Sequence, residues 1–230
     1  MIGEAIATRQ TVAGIVAVEP DGINATKRIL VQTDSHTIPL YHTDKAAFAR
    51  LSDTVHSAGV VAVVDWAPRT IADLADALPR RMLFCDRISD PGNLGTLIRT
   101  AAGLGLDGVV VSPSSAEVAN PKVVRSTAGA LFRIPVYADI AVADFLSLCR
   151  QWGVHIVLAD PQGDEDIDEL ASNGWAAVVG GETAGLDAAW PSTGVSRLKI
   201  TMHHGVESLN ASVAGALLID RLCHKAGTPD

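Results

Sequence analysis

The chain has 230 residues, of which 48% are hydrophobic and 19% charged, and its 18 Lys and Arg face 26 Asp and Glu for a formal net charge of −8 at pH 7. This is the composition of a globular protein long enough to bury a real core, which excludes a disordered chain. The acidic balance excludes a protein that holds nucleic acid by neutralising phosphate over its whole surface, but it leaves room for a local basic face.

In chain order, residues 1–79 read as a small α/β unit. Short runs rich in β-branched residues at 14–18 (GIVAV), 28–32 (RILVQ), 38–41 and 60–64 (VVAVV) predict strands, and 44–51 and 70–78 have helical composition with Asp44 or Thr70 at the start. Residues 3–10 read as a further helix. Composition shifts at Pro79 with Arg80 and Arg81 behind it, so the expected boundary separates 1–79 from 80–230.

Beyond it strands and helices alternate. Strands are expected at 81–85, 108–112, 134–138, 154–160, 176–180 and 198–202, with helices at 93–104, 121–128, 142–152 and 209–225. Continuous apolar runs separated by helices predict a mainly parallel sheet covered on both faces. Ligands of such sheets bind at the carboxyl ends of the strands.

Three polar, glycine-containing segments fall at such ends. In DRISDPGNLGTLIRTA, Pro91 and Gly92 make a turn, Asn93 is expected to cap the next helix, and Arg99 follows six residues later. If it faces the site near a positive helix N-terminus, an arginine there needs an anionic partner, and phosphate suits its fork; if exposed it needs none. In VVGGETAGL, Gly180 and Gly181 admit a close approach to the main chain and place Glu182 at the mouth of the sheet. In ITMHHGVESLNASVAGALL, Ser208, Asn210 and Ser212 open a helix of small and aliphatic residues.

Other features carry less. Gly103, Gly105 and Gly108 spell GxGxxG, but they end a helix and lead into a strand, the reverse of a phosphate cradle. His203 and His204 are adjacent and would point apart on an extended segment, and the acidic run 164–169 reads as a solvated loop and helix start. Cys85, Cys149 and Cys223 lie far apart without ligand spacing, so reduced thiols are expected, with no metal and no disulfide. No apolar run approaches the ~20 residues of a membrane span and no signal sequence opens the chain, so a cytosolic protein away from membranes is expected. Arg80, Arg81 and Arg87, and Lys122 with Arg125, are candidates for local basic surface.

Taken together, NLGTLIR (93–99), VVGGETAGL (178–186) and ITMHHGVESLNASVA (200–214) resemble, in order and spacing, the three motifs of the SpoU, or TrmH-like, RNA 2′-O-ribose methyltransferases of the SPOUT superfamily. The likeness covers 82–225, and its ESLN core is the most specific part. Residues 51–64 (LSDTVHSAGVVAVV) resemble the small RNA-binding domain that often precedes this catalytic domain, here shorter at its start than usual. The third motif departs from the usual pattern at Thr201, where proline is common, and at His204, where glycine is frequent.

The resemblance implies an α/β fold with a C-terminal, SPOUT-like trefoil knot that holds S-adenosylmethionine, and a homodimer. It implies cofactor contacts at Gly180, Ile200 and Leu209, with Gly181 and Met202 nearby. It makes Arg99 the central catalytic residue, assisted by Asn93, Glu182, Ser208 and Asn210. Arginine is a poor base, with a pKa above ~12, so Arg99 is expected to grip a phosphate and stabilise charge on the attacking oxygen, leaving open which group takes the proton. Ribosomal RNA is the favoured substrate; the alternatives are transfer RNA, or a non-catalytic RNA-binding or assembly factor that retains the fold.

Overall fold

A computed structural model of the chain describes residues 1–18, 22, 24, 26, 27, 38–52, 58–164, 166 and 174–225. The strand expected at 28–32 and most of the acidic run at 164–169 lie outside the described residues. The chain divides into two compact units, Met1–Ala67 and Pro68–Asp230.

In the first unit, helix α1 (Ile2–Ala7) leads into β1 (Thr11–Val18), followed by β2 (Leu40–Thr43), α2 (Lys45–Phe48) and β3 (Val60–Asp65). The sheet order is β2-β1-β3, with β2 parallel and β3 antiparallel to β1. Asp44 caps α2 by accepting from the Ala47 N–H at 2.8 Å. Ala5, Ile15, Ala17 and Phe48 form the buried side of this unit.

The second unit opens with α3 (Ile71–Ala77), β4 (Arg81–Asp86), α4 (Pro91–Gly103) and β5 (Gly108–Val111). Then come α5 (Pro121–Ser126), a 3-10 turn (Ala130–Phe132), β6 (Val136–Tyr137), α6 (Val142–Trp152), β7 (His155–Asp164), β8 (Trp175–Gly180), β9 (Ser196–Leu198) and α7 (Ala211–Lys225). All six strands pair in parallel, in the order β6-β5-β4-β8-β7-β9. The central strands carry the continuous apolar runs that a sheet covered on both faces demands.

Alternation along β4 shows the two layers. Met82 and Phe84 join Leu74, Phe145, Leu146 and Trp190 in one buried cluster, where Phe84 stacks obliquely on Phe145 at 4.8 Å and meets Trp190 edge-on at 5.1 Å. On the opposite side α7 comes so close that a Cβ on Gly215 would sit 2.4 Å from Leu97 and 3.2 Å from Val179.

The compact units part at Ala67/Pro68, where α3 buries Leu74 in the C-terminal core and Arg69 bridges to Tyr137. Three expectations are corrected. The last strand is Ser196–Leu198 and not 198–202: β9 has β7 as its neighbour on one side only, and past Leu198 the chain leaves the sheet. Helix α4 starts two residues before Asn93. Asp90 is its cap, accepting from the Asn93 N–H at 2.8 Å, because Pro91 suits the first helical position. Helix α7 starts at Ala211, not Leu209, since Asn210 turns its side chain back to take the Ser212 N–H at 3.0 Å.

Candidate active site

The three polar segments leave the sheet side by side. Asp86 at the end of β4 pairs with Gly180 at the end of β8, so α4 and the 181–187 loop begin next to each other. Asp90 fixes the start of α4, and Lys122 lies 3.1 Å from its second oxygen. The Asn93 N–H and the Lys122 ammonium hold the Asp90 carboxyl below the usual carboxylate range.

Glu182 is the meeting point. Its Oε1 accepts from Asn93 Nδ2 at 3.1 Å, from Asn210 Nδ2 at 2.7 Å and from the Ala211 N–H at 3.1 Å. Asn210 Nδ2 also donates to Asn93 Oδ1 at 2.9 Å, which closes a triangle of one carboxylate and two amides. Asn210 Oδ1 accepts from the Ser212 N–H and hydroxyl. A carboxylate over the first free N–H of a helix is favoured by the helix dipole, so α7 and Glu182 stabilise each other. Each of the three sequence motifs contributes one side chain.

Beside this triangle lies a cavity of about 650 Å³, walled by residues 159–161, 179–182, 185–186, 197–202, 207–209, 211 and 214. Its lining mixes apolar side chains such as Leu186, Ile200, Met202 and Leu209 with main chain that belongs to no strand. On its rim Arg197 Nη1 meets Asp160 at 2.5 Å. Burial acts to raise the Asp160 carboxyl, but the Gln162 N–H and Arg197 outweigh it and leave the group below its ordinary value.

The expected site residues therefore fall into three places. Asn93, Glu182 and Asn210 are bonded together. Ser208 lines the cavity with all five expected cofactor contacts, Gly180, Gly181, Ile200, Met202 and Leu209. Arg99 is in neither group; it is exposed on the outer face of α4 with Thr96 and Gly103. The paired glycines also do something other than expected. A Cβ on Gly181 would lie 2.2 Å from the Arg87 carbonyl oxygen and one on Gly180 2.6 Å from Gly185, so the close approach they permit is first that of the chain's own backbone.

Sequence reasoning gave Arg87 only to a basic surface and passed over Asp86 and Trp190, whereas the structure turns Arg87 and Asp86 onto the 184–190 stretch. For Asp86 and Arg87 the one signal was their position at the end of a strand beside a polar segment. His204 adopts φ 58°, the left-handed region where glycine is at ease. Among the described residues no group of three or more His, Cys, Asp or Glu is arranged to hold a metal ion, and no helix is long and apolar enough to cross a membrane.

With this geometry in view, comparison with known proteins is specific. The model of the SpoU rRNA Methylase family matches residues 80–220. The 23S rRNA (guanosine(2553)-2′-O)-methyltransferase RlmP of Bacillus subtilis (strain 168) is 32% identical over 204 residues, covering 85% of this chain and 80% of its own. The 23S rRNA (uridine(2479)-2′-O)-methyltransferase of Streptomyces viridochromogenes is 36% identical over 170 residues, 70% of this chain but only 58% of that longer relative. The crystal structure of the SpoU methyltransferase AviRb from Streptomyces viridochromogenes in complex with the cofactor AdoMet matches with a TM-score of 0.83 at 27% identity, over 100% of this chain and 88% of that one. A family model that spans β4 to α7, and with them all three site segments, shows that the chain belongs to the SpoU rRNA methylase family.

Proposed function

We propose that this protein transfers a methyl group from S-adenosylmethionine to a ribose 2′-hydroxyl of ribosomal RNA, acting in the cytosol. The observation that carries the reading is the Asn93–Glu182–Asn210 triangle, built from all three motifs and set against the cavity. The names of the two curated relatives favour ribosomal over transfer RNA.

The cavity fits the cofactor in size and chemistry: it is large enough for a nucleoside with a short tail, and its walls mix apolar side chains with polar groups and with main chain at 199–202 outside any strand. Gly180, Gly181, Ile200, Met202 and Leu209 would hold it. When bound, it supplies an electrophilic methyl group on a sulfonium. The chain's part is to bring a ribose oxygen in line with that methyl, a matter of positioning that supplies much of the rate. The triangle gives Asn93, Glu182 and Asn210 fixed orientations, and Ser208 adds a hydroxyl on the cavity wall. Arg99, exposed on α4, grips the phosphate next to the reacting ribose and stabilises charge on its oxygen. The chain from 91 to 106 and from 118 to 133 contains no acidic residue, but carries Arg99, Lys122, Arg125 and Arg133. With Lys122 paired to Asp90, this run of positive charge is what favours a local basic face on an acidic RNA enzyme.

Three further expectations belong to the same reading. The last segments form a trefoil knot, a rare exception to unknotted connections. In its favour, β9 lies at the sheet edge beyond β7, while α7 returns to pack on Leu97 and Val179. The protein is a homodimer, and the first unit binds RNA.

Labelled S-adenosylmethionine offered with separate ribosomal and transfer RNA pools tests the function. Label is expected in ribosomal RNA as 2′-O-methylribose; label only in transfer RNA, or none, refutes it. In the same assay Arg99→Ala is expected to lower the rate by about 100-fold or more, while cofactor binding is kept. A folded Arg99→Ala protein with the wild-type rate sinks the role given to Arg99.

A further inference from the structure

Asp86 and Arg87 follow one another at the end of β4, yet both reach the same stretch of chain, 184–190. Consecutive side chains of a regular strand leave on opposite faces. Arg87 escapes that rule through a φ of 55°, a conformation that costs a non-glycine residue energy and that the surroundings must enforce. Its own N–H is held by Ser112 Oγ at 2.9 Å.

The guanidinium is used in an unusual way. Arg87 Nη2 donates to the carbonyl oxygens of Ala184 at 2.9 Å and Gly185 at 3.3 Å, and also to that of Leu186. Asp86, 1% exposed, takes up the next residues: its Oδ2 accepts from the Asp187 N–H at 2.6 Å and from Trp190 Nε1 at 2.8 Å. Between the two side chains, Asp86 Oδ1 and Arg87 Nε stand 4.0 Å apart, and neither atom has a hydrogen bond of its own. The near end of the loop is fixed as well, by the Gly181 N–H donating to the Asp86 carbonyl at 2.9 Å. The loop that carries Glu182 is thus pinned at 181, at 184–186 and at 187 by two neighbouring residues. Neither of those two residues lines the cavity.

We propose that Arg87, supported by Asp86, is a positioning residue for methyl transfer: it sets the shape of the 184–187 stretch, and through it the cofactor wall at Gly185 and Leu186, whereas Glu182 is held separately by Asn93, Asn210 and the Ala211 N–H. This rests on the methyl-transfer reading above. Without the guanidinium, three carbonyls lose their shared donor and the wall that meets the cofactor is free to move, while the RNA-facing surface of α4 is untouched.

Titration calorimetry with S-adenosylmethionine on the full chain tests it, using wild type, R87K, R87G and R87Q. R87G relieves the strained φ and removes only the side chain, so its thermal midpoint is expected to stay near wild type. Its affinity for S-adenosylmethionine is expected to fall about tenfold or more, and R87K, which keeps a cation with several donors, to stay within about threefold of wild type. In turnover, kcat/KM for the cofactor is expected to fall in R87G while kcat at saturating cofactor stays within about threefold and RNA affinity is unchanged. R87G binding as tightly as wild type, or a loss in kcat alone, overturns the positioning role. If R87G does not fold, R87Q decides by the same measure. A wild-type protein that does not bind S-adenosylmethionine overturns the methyl-transfer reading itself, a different result from a normal wild type with an indifferent variant.

Discussion

Glu182 ties the three site segments together, because one oxygen serves both amides and the first N–H of α7. Removing it takes one shared acceptor from Asn93 and Asn210, which keep only their bond to each other and that of Asn210 to Ser212, and leaves the helix start without its counter-charge. Glu182→Ala is therefore expected to lower stability by about 1 kcal/mol, the usual worth of such a cap, and to reduce kcat much more than cofactor affinity. Glu182→Gln keeps an acceptor of the same reach and is expected to retain the fold, so urea unfolding and single-turnover rates on both variants separate the structural from the chemical contribution. Activity unchanged in Glu182→Ala would remove this residue from the reaction. At this scale Asn93, Glu182 and Asn210 were legible as polar side chains at strand ends. Arg87 was not, since nothing in CDRIS announces a left-handed residue whose partners lie 97 to 99 positions away.

Between elements, one tight fit the site depends on is that of α4 against α5. A Cβ at Gly95 would sit 2.5 Å from Ser126 Cβ and 2.5 Å from the Val123 carbonyl oxygen, backbone that cannot give way cheaply. Lys122 lies beside Gly92 one turn earlier, so the helices run parallel and present Lys122 and Asp90 together at the site. Gly95→Ala is expected to cost about 1–3 kcal/mol in urea unfolding, the range for overpacking a filled contact, and to weaken the anchoring of α4. An unchanged midpoint would show that the helices can separate without penalty. In the sequence Gly95 reads as an ordinary poor helix former, because its reason lies on another element.

Over the whole molecule, apolar surface remains where a single chain has no use for it. Val213 and Leu217, 47% and 42% exposed, are four residues apart and so share a face of α7, and Val206 just before the helix is 51% exposed. Continuity of this stripe with the site segment is what favours the proposed homodimer. Sedimentation of the wild type is expected to give a dimer and that of Leu217→Asp a monomer, since a charge set into an apolar contact is costly. A wild-type monomer would overturn the assembly. The two buried thiols take no part: burial raises both Cys85 and Cys149, the latter to about 12, so neither is a thiolate at neutral pH.

The sequence by itself determined the alternation of strands and helices, the parallel and doubly covered sheet, and the three segments at its carboxyl edge. All of these rest on local patterns, namely apolar runs, caps and glycine turns, that a short window of residues contains. Tertiary structure decided what no window holds. It joined Asn93, Glu182 and Asn210 through hydrogen bonds across 28 to 117 positions, and left Arg99 outside them on the exposed face of α4. It drew Leu74 into the second core, and it ended β9 at Leu198 because an edge strand ceases where its neighbour's pairing does. It also gave the Gly180–Gly181 pair, which lines the cavity, a second use as the place where the chain passes against itself.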